Sequence, residues 1–117
     1  MANFLIKTFG CQFNELSSAA IVDALSRAGH ERVSDLAHAS LVVINTCAVR
    51  AKAEEKAFSY LGEAARVVNS ERIVFMGCVA SLDRERATRI AGQGLHVVGG
   101  SAGINDILNE VANILPL

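Results

Sequence analysis

The sequence predicts an α/β domain built on a doubly wound, five-stranded parallel sheet with helices on both faces. Short apolar segments alternate with longer amphipathic ones along the whole chain of 117 residues. Residues 41–45 form a continuous apolar run, which is typical of strands that are covered on both sides, and residues 72–76 are interpreted as another buried strand. The alternation indicates parallel strands, since each pair of parallel strands needs a long crossover connection.

The strands are predicted from short runs of apolar and β-branched residues. These runs occupy residues 3–8, 30–33, 41–45, 72–76 and 95–98, the second being short and weak. Apolar residues at helical spacing predict the helices, over residues 15–28, 50–68, 82–91 and 104–115. Asn14 and Ser81 are predicted to cap the first and third helices, and Gly29 to end the first.

The strand order decides where the cysteines meet. The commonest order for five such strands is flavodoxin-like, 2-1-3-4-5, in which strands one, three and four are neighbours. Cys11, Cys47 and Cys78, the three cysteines of the chain, each follow one of these strands at its carboxyl end. Ligands bind at that edge, in the crevice between strands one and three. Because neighbouring strands lie about 4.8 Å apart, the three thiols are expected to reach one centre.

Three thiolates favour zinc, copper(I) or an iron–sulfur cluster. Structural zinc usually takes four protein ligands, so a three-cysteine set suggests a 4Fe–4S cluster with one iron left open. Gly10 and Gly77 directly precede cysteines and would let the backbone approach such a centre. The alternative is that the thiols are buried as small apolar groups. The three histidines lie outside these loops and are predicted to be surface or hydrogen-bonded residues: His30, His38 and His96.

Composition and charge narrow the classes of function. The net charge of −1 provides no basic field for nonspecific nucleic-acid binding, so an RNA partner would need other segments for most of its affinity. No apolar run approaches the roughly 18 residues that predict a membrane span, and no signal peptide is recognised at the start. A cytoplasmic, reducing location is therefore expected, where an odd number of cysteines indicates metal binding or reactive thiols.

Three separated stretches resemble, in order, the N-terminal domain of the methylthiotransferases: KTFGCQFNELSS, NTCAVRAKAEEKAFSYLG and GCVAS. The resemblance extends over nearly the whole chain, and residues 1–117 are identified as one such domain. Methylthiotransferases are radical S-adenosylmethionine enzymes that attach a methylthio group to tRNA or to a ribosomal protein. The C-Q-x-N pattern and Arg50 look most like the tRNA branch, which modifies isopentenyladenosine next to the anticodon.

The resemblance implies that Cys11, Cys47 and Cys78 hold the auxiliary 4Fe–4S cluster of this family, whose open iron carries the sulfur to be transferred. It also implies two partners, the tRNA anticodon stem-loop and a radical S-adenosylmethionine domain of the same protein that holds a second 4Fe–4S cluster. The C-x-x-x-C-x-x-C motif of that cluster is absent from this sequence, as is the RNA-binding domain of the family. This chain alone is therefore not expected to complete the reaction, and no catalytic residue is assigned to it.

Other residues keep more than one interpretation. Asn14 and Asn45 are predicted to cap helices or to brace the cysteine loops. Arg50 could meet the charge of the cluster, a tRNA phosphate or the carboxylate of S-adenosylmethionine, or could be a plain helix residue. Arginines of the third helix could contact RNA or form an ordinary surface: Arg84, Arg86 and Arg89.

Two other classes of function stay open. One is a flavodoxin-like module that binds a nucleotide, flavin or cobalamin at the same crevice. Against it, no G-x-G-x-x-G follows the first strand. The other is an interaction domain with inert, structural cysteines.

Overall fold

The computed structural model describes residues 2–9, 12–46, 51–99 and 102–115, and these residues contain a five-stranded parallel sheet. The strands are β1 (Asn3–Phe9), β2 (Glu31–Arg32), β3 (Leu41–Thr46), β4 (Ile73–Gly77) and β5 (His96–Gly99). Their order across the sheet is β2-β1-β3-β4-β5, and every neighbouring pair is parallel. The predicted fold class and the flavodoxin-like order are therefore confirmed.

Helices connect the strands as the alternation predicted. The α-helices of the described ranges are α1 (Gln12–Arg27), α2 (Ala51–Val67), α3 (Cys78–Leu82), α4 (Arg84–Ala91) and α5 (Ile104–Ala112). Short 3-10 helices at Leu36–His38 and Ser70–Arg72 lead into β3 and β4. The connection between the second and third strands is thus a single 3-10 turn.

The predicted third helix over residues 82–91 is confirmed as α4, and a short helix that was not predicted, α3, directly precedes it and ends before Asp83. The side chain of Asp83 accepts a hydrogen bond from the backbone N–H of Arg86 at 3.0 Å and so caps α4. Ser81, the predicted cap, belongs to α3. The predicted cap was therefore wrong by two residues, and the capping residue is Asp83.

The start of α1 also differs from the prediction, whereas its end does not. The helix begins at Gln12, so Asn14 lies inside it and is not its cap. At the other end Gly29 has φ 92°, and its N–H donates to the carbonyl of Ser26. The next N–H, of His30, donates to the carbonyl of Leu25, which completes a Schellman motif as Gly29 predicted.

The sheet separates two apolar cores, one on each face. Residues of β3 alternate between them, with Val42 and Ile44 facing α2 and α4 and with Leu41 and Val43 facing α1 and α5. All four side chains are fully buried, as the continuous apolar run predicted.

Over the ranges described above, no helix combines the length and the apolar character that crossing a membrane requires.

Candidate functional site

The three central strands end in one paired row at the carboxyl edge of the sheet. Phe9 of β1 pairs with Thr46 of β3, and Thr46 pairs with Gly77 of β4. All cysteines of the chain follow this row within two residues along the sequence: Cys11, Cys47 and Cys78. The strand register therefore brings the chain segments that lead into the three cysteines to one edge.

Cys78 is the one cysteine within the described residues. It is the first residue of α3, directly after β4, and it is exposed. An exposed thiol does not fill a core, so the reading as a small buried apolar residue does not hold for Cys78. Cys11, Cys47, Gly10 and Arg50 lie outside the described residues. The grouping of the three thiols and the role of Arg50 therefore stay predictions.

Gly77 has a backbone conformation and surroundings that exclude a side chain. Its φ is 103°, a region that favours glycine. A Cβ atom built on it would lie 2.2 Å from the carbonyl oxygen of Thr46 and 2.8 Å from the Thr46 hydroxyl oxygen. Glycine was expected here to allow close approach to a metal centre. The structure gives a reason within the protein itself, namely the close passage of β4 past the end of β3.

A polar network joins the first turns of α1 to the end of β3. The side-chain nitrogen of Asn14 donates to the Asn45 side-chain oxygen at 2.9 Å and to the Thr46 carbonyl at 2.7 Å. In return, Asn45 Nδ2 donates to the Asn14 carbonyl at 2.8 Å and to the Ser18 hydroxyl at 3.1 Å. The Ser18 hydroxyl also bonds the Thr8 hydroxyl of β1 at 2.7 Å. Asn14 and Asn45 thus join the segments next to Cys11 and Cys47, which is one of their two predicted roles.

Thr46 extends this network to β4 and α3. Its hydroxyl donates to the carbonyl of Met76 at 2.7 Å and accepts from the backbone N–H of Val79 at 3.3 Å. Met76 and Val79 lie on either side of Cys78 in the chain. Sequence reasoning missed Thr46 and its neighbours Ser18 and Thr8. The available signal was a polar residue at the end of an otherwise continuous apolar run.

The histidines lie apart from this edge, as predicted. Each bonds a neighbour: His30 with the N–H of Ala2, His38 with Asp35, and His96 with Glu110 and the Glu71 carbonyl. Among the described residues, no three histidine, cysteine or acidic side chains are placed so that they could hold a metal ion. Cys11 and Cys47 are outside that set.

The arginines of the predicted third helix differ in what they contact. The Arg86 guanidinium lies 4.2 Å from the ring centroid of Phe58 and bonds both carboxylate oxygens of Glu55, at 3.3 and 3.4 Å. The hydrogen bonding of Arg86 to the Glu55 carboxylate is the main reason that the pKa of Arg86 is raised. Arg86 therefore ties α4 to α2, whereas Arg84 and Arg89 are exposed.

An aromatic pair lies beside the same edge, on the α2 face of β1. The rings of Phe9 and Tyr60 are 5.8 Å apart, and the Lys7 ammonium lies 5.9 and 5.7 Å from their centroids. Burial raises the pKa of Tyr60, and the charge of Glu63 raises it further. Sequence reasoning did not single out these residues, because their contacts cross between two distant elements.

Comparison with known sequences identifies relatives over most of the chain. It is 38% identical over 114 residues to the tRNA-2-methylthio-N(6)-dimethylallyladenosine synthase of Thermotoga petrophila, a match that covers 96% of this chain and 25% of that protein. The synthase of the same name from Endomicrobium trichonymphae is 42% identical over 81 residues, which are 67% of this chain and 19% of that protein. That of Paracidovorax citrulli is 43% identical over 88 residues, covering 74% and 20%.

The chain thus spans a quarter or less of the length of these relatives. These sequence matches and a family model confirm the predicted resemblance. The model of "Uncharacterized protein family UPF0004" matches residues 3–99, which include the whole sheet and all three cysteines. The chain therefore belongs to the UPF0004 family.

Proposed function

We propose that this chain is the auxiliary-cluster domain of a radical S-adenosylmethionine tRNA methylthiotransferase, in which Cys11, Cys47 and Cys78 hold a 4Fe–4S cluster. One observation carries the proposal. The paired row at the ends of β1, β3 and β4 is followed within two residues by every cysteine of the chain. In a doubly wound sheet this edge, at the switch between β1 and β3, is where ligands bind.

The residues present fit such a cluster. Thiolates are the usual ligands of iron–sulfur clusters, and Cys78 offers an exposed thiol at the carboxyl end of β4. Three protein ligands leave one iron with a coordination position that the protein does not fill. When bound, the cluster would supply the sulfur that is transferred. The work of this chain is then to hold the three ligands at one edge and to leave that position accessible.

The substrate is proposed from the relatives, whose names specify tRNA and dimethylallyladenosine. We propose that the complete protein adds a methylthio group to isopentenyladenosine next to the anticodon, acting in the cytoplasm. Cleavage of S-adenosylmethionine at a second 4Fe–4S cluster and most of the tRNA binding would belong to other domains of that protein. A net charge of −1 on this chain agrees with RNA binding by other segments.

The competing proposal is a flavodoxin-like nucleotide- or cofactor-binding module with structural cysteines. The described residues do contain an open groove along α1, beside Thr8 and Ser18. Its lining includes the carboxylates of Glu15 and Asp23 with Arg32, a mixed set that does not favour a phosphate group. The exposure of Cys78 also speaks against a structural thiol.

Anaerobic reconstitution of the chain with iron and sulfide tests the proposal. We expect about four iron atoms per chain and broad absorbance near 400 nm from iron–thiolate charge transfer. Alanine at any one of Cys11, Cys47 or Cys78 should remove most of the bound iron, because two thiolates anchor a cluster poorly. Ser59→Ala, at an exposed position of α2, serves as the control and should keep the wild-type content. Wild-type iron in all three cysteine variants would show that the ligand assignment is wrong.

A further inference from the structure

Polar side chains are buried at the carboxyl end of β3, where apolar ones would be cheaper to bury. Asn45 is 1% exposed and Thr46 is fully buried. Burying such groups costs free energy unless they are hydrogen-bonded, and the bonds then gain little over bonds to water. Simple stabilisation of the sheet is therefore a poor explanation for this pair of residues. The segments that these two side chains connect are a better guide to their role.

The hydrogen bonds of these side chains lead to segments that neighbour a cysteine. Asn14, three residues after Cys11, and Asn45, two residues before Cys47, exchange bonds in both directions at 2.9 and 2.8 Å. A reciprocal pair of this kind fixes both the distance and the orientation of α1 relative to the end of β3.

The Thr46 hydroxyl does the same for the segment that contains Cys78. It contacts Met76, two residues before Cys78, and Val79, one residue after it, at 2.7 and 3.3 Å. One side chain on β3 therefore holds both flanks of a cysteine that follows β4. The close passage at Gly77 keeps the two strand ends within reach of each other.

The network needs no ligand to complete it. Among the described residues, no buried side-chain nitrogen or oxygen lacks a hydrogen-bond partner. All bonds named above are made within the protein, so they can form before a metal is present. A network that needed a bound cluster would instead keep some buried polar atoms without partners until the cluster was present.

We propose that Asn14, Asn45 and Thr46 are positioning residues, which hold the three cysteine-bearing segments together in the metal-free chain. The inference rests on the proposed function, since it takes the cysteines to be the ligands. It deepens that function by making the site preorganised, so that iron meets ligands that are already gathered. In this proposal the three segments are brought together by the protein and not by the cluster.

Thiol bridging in the metal-free chain tests the proposal without iron. Dibromobimane becomes fluorescent when it joins two neighbouring thiols, and we expect an efficient bridge in the wild-type chain. Thr46→Val keeps the shape of the side chain and removes the hydroxyl, and Asn45→Leu removes the amide. Each should lower the rate of bridging by about tenfold, because bridging depends steeply on geometry. Thr46→Ser keeps the hydroxyl and should restore most of the wild-type rate.

A control separates positioning from general loss of stability. Leu25→Ala removes a fully buried side chain from α1 without touching the network. Under conditions in which all variants remain folded by circular dichroism, Leu25→Ala should bridge as the wild type does. If it slows bridging as much as Thr46→Val does, the network acts only through stability and the proposal is overturned. Should Asn45→Leu fail to fold, Asn14→Ala removes the two bonds that the Asn14 side chain donates, to Asn45 and to the Thr46 carbonyl.

Reconstitution then distinguishes this proposal from the proposed function. Slow bridging in the wild type together with full cluster uptake would mean that iron gathers the ligands, which overturns preorganisation and leaves the cluster assignment standing. Fast bridging without cluster uptake would overturn the cluster assignment and leave the gathered thiols standing. With both intact, Thr46→Val should take up iron more slowly than Thr46→Ser, and its cluster absorbance spectrum should be altered.

Discussion

The two ends of strand β3 are equally buried, but one has apolar side chains and the other has polar side chains. Its first four residues, Leu41–Ile44, pack into the two cores and bury only apolar surface. Its last two, Asn45 and Thr46, are just as inaccessible, but their side chains form hydrogen bonds to α1, β4 and α3. The apolar half gains stability from burial, at roughly 25 cal/mol per Å². The polar half gains little and instead fixes where neighbouring segments lie.

Strand β4 repeats the contrast within three residues. Phe75 is fully buried against Phe58, with ring centroids 5.5 Å apart. Gly77 fills no space and allows the strand to pass close to Thr46. One end of each strand thus stabilises the fold by apolar burial, and the other end fixes the positions of neighbouring segments. The cysteines follow this second end in the chain. Substitutions at each end should therefore have effects of different kinds.

The largest loss of stability is expected in the apolar cores. Phe75→Ala should lower the free energy of unfolding by about 3–5 kcal/mol, because it removes a buried ring and leaves a cavity. Denaturant unfolding measures this, with Phe75→Leu as a smaller truncation that should cost less. While the variant remains folded, its rate of thiol bridging should match that of the wild type. A loss below about 1 kcal/mol, the usual effect of a single substitution, would show that this core does not depend on the ring.

A smaller loss with a second effect is expected at the polar end. Gly77→Ala combines an unfavourable φ of 103° with a 2.2 Å clash against the Thr46 carbonyl, and should cost about 3 kcal/mol. Gly29→Ala is a matched control, because its φ is 92° but nothing lies within 4 Å of the added Cβ. It should cost only the backbone strain, about 1–2 kcal/mol.

Thiol bridging distinguishes these two glycines further. Only Gly77→Ala should slow it, since only Gly77 sets how closely β3 and β4 approach beside Cys78. Equal losses of stability and equal bridging in the two variants would contradict the assignment of Gly77 to placement.

The apolar half of the molecule could be predicted from the sequence because its signals are local. A run such as residues 41–44 is hydrophobic whatever its neighbours are, and alternation with helices leaves few topologies to consider. The short helix α3 was missed for the same reason, since five residues are too few for a helical period to be recognised. Gly29 was predicted correctly because a helix end that needs positive φ is also decided locally.

The polar edge was harder to predict because its partners are distant in sequence. Asparagine is a residue type that commonly caps helices, so the sequence suggested a cap at Asn14. Its hydrogen bonds to β3, to residues 31 and 32 positions away, show instead that it bridges two elements. The Thr46 hydroxyl bonds backbone atoms of β4 and α3, which depends on strand register and not on any side-chain pattern. The cysteine positions were predictable only through the strand order. Their grouping remains a prediction.

The smallest expected effect lies beside the edge, at Tyr60, and depends on pH. Burial, and then the charge of Glu63, raises the pKa of Tyr60 above its ordinary value of 10.0. The folded chain therefore holds this proton more tightly than the unfolded chain does. Its contribution to stability is complete below pH 10.0 and is lost as the pH rises through the folded pKa.

Tyr60→Phe keeps the ring next to Phe9 and removes the ionisable group. The free energy of unfolding should therefore fall more steeply in the wild type than in this variant as the pH rises above about 10. Because Tyr60 is only partly buried, solvent screens the interaction and the difference should be small. Glu63→Gln should reduce the steepness by less than Tyr60→Phe does, since burial is the larger cause. Parallel profiles for wild type and Tyr60→Phe would mean that the phenol is as well solvated in the folded chain as in the unfolded one.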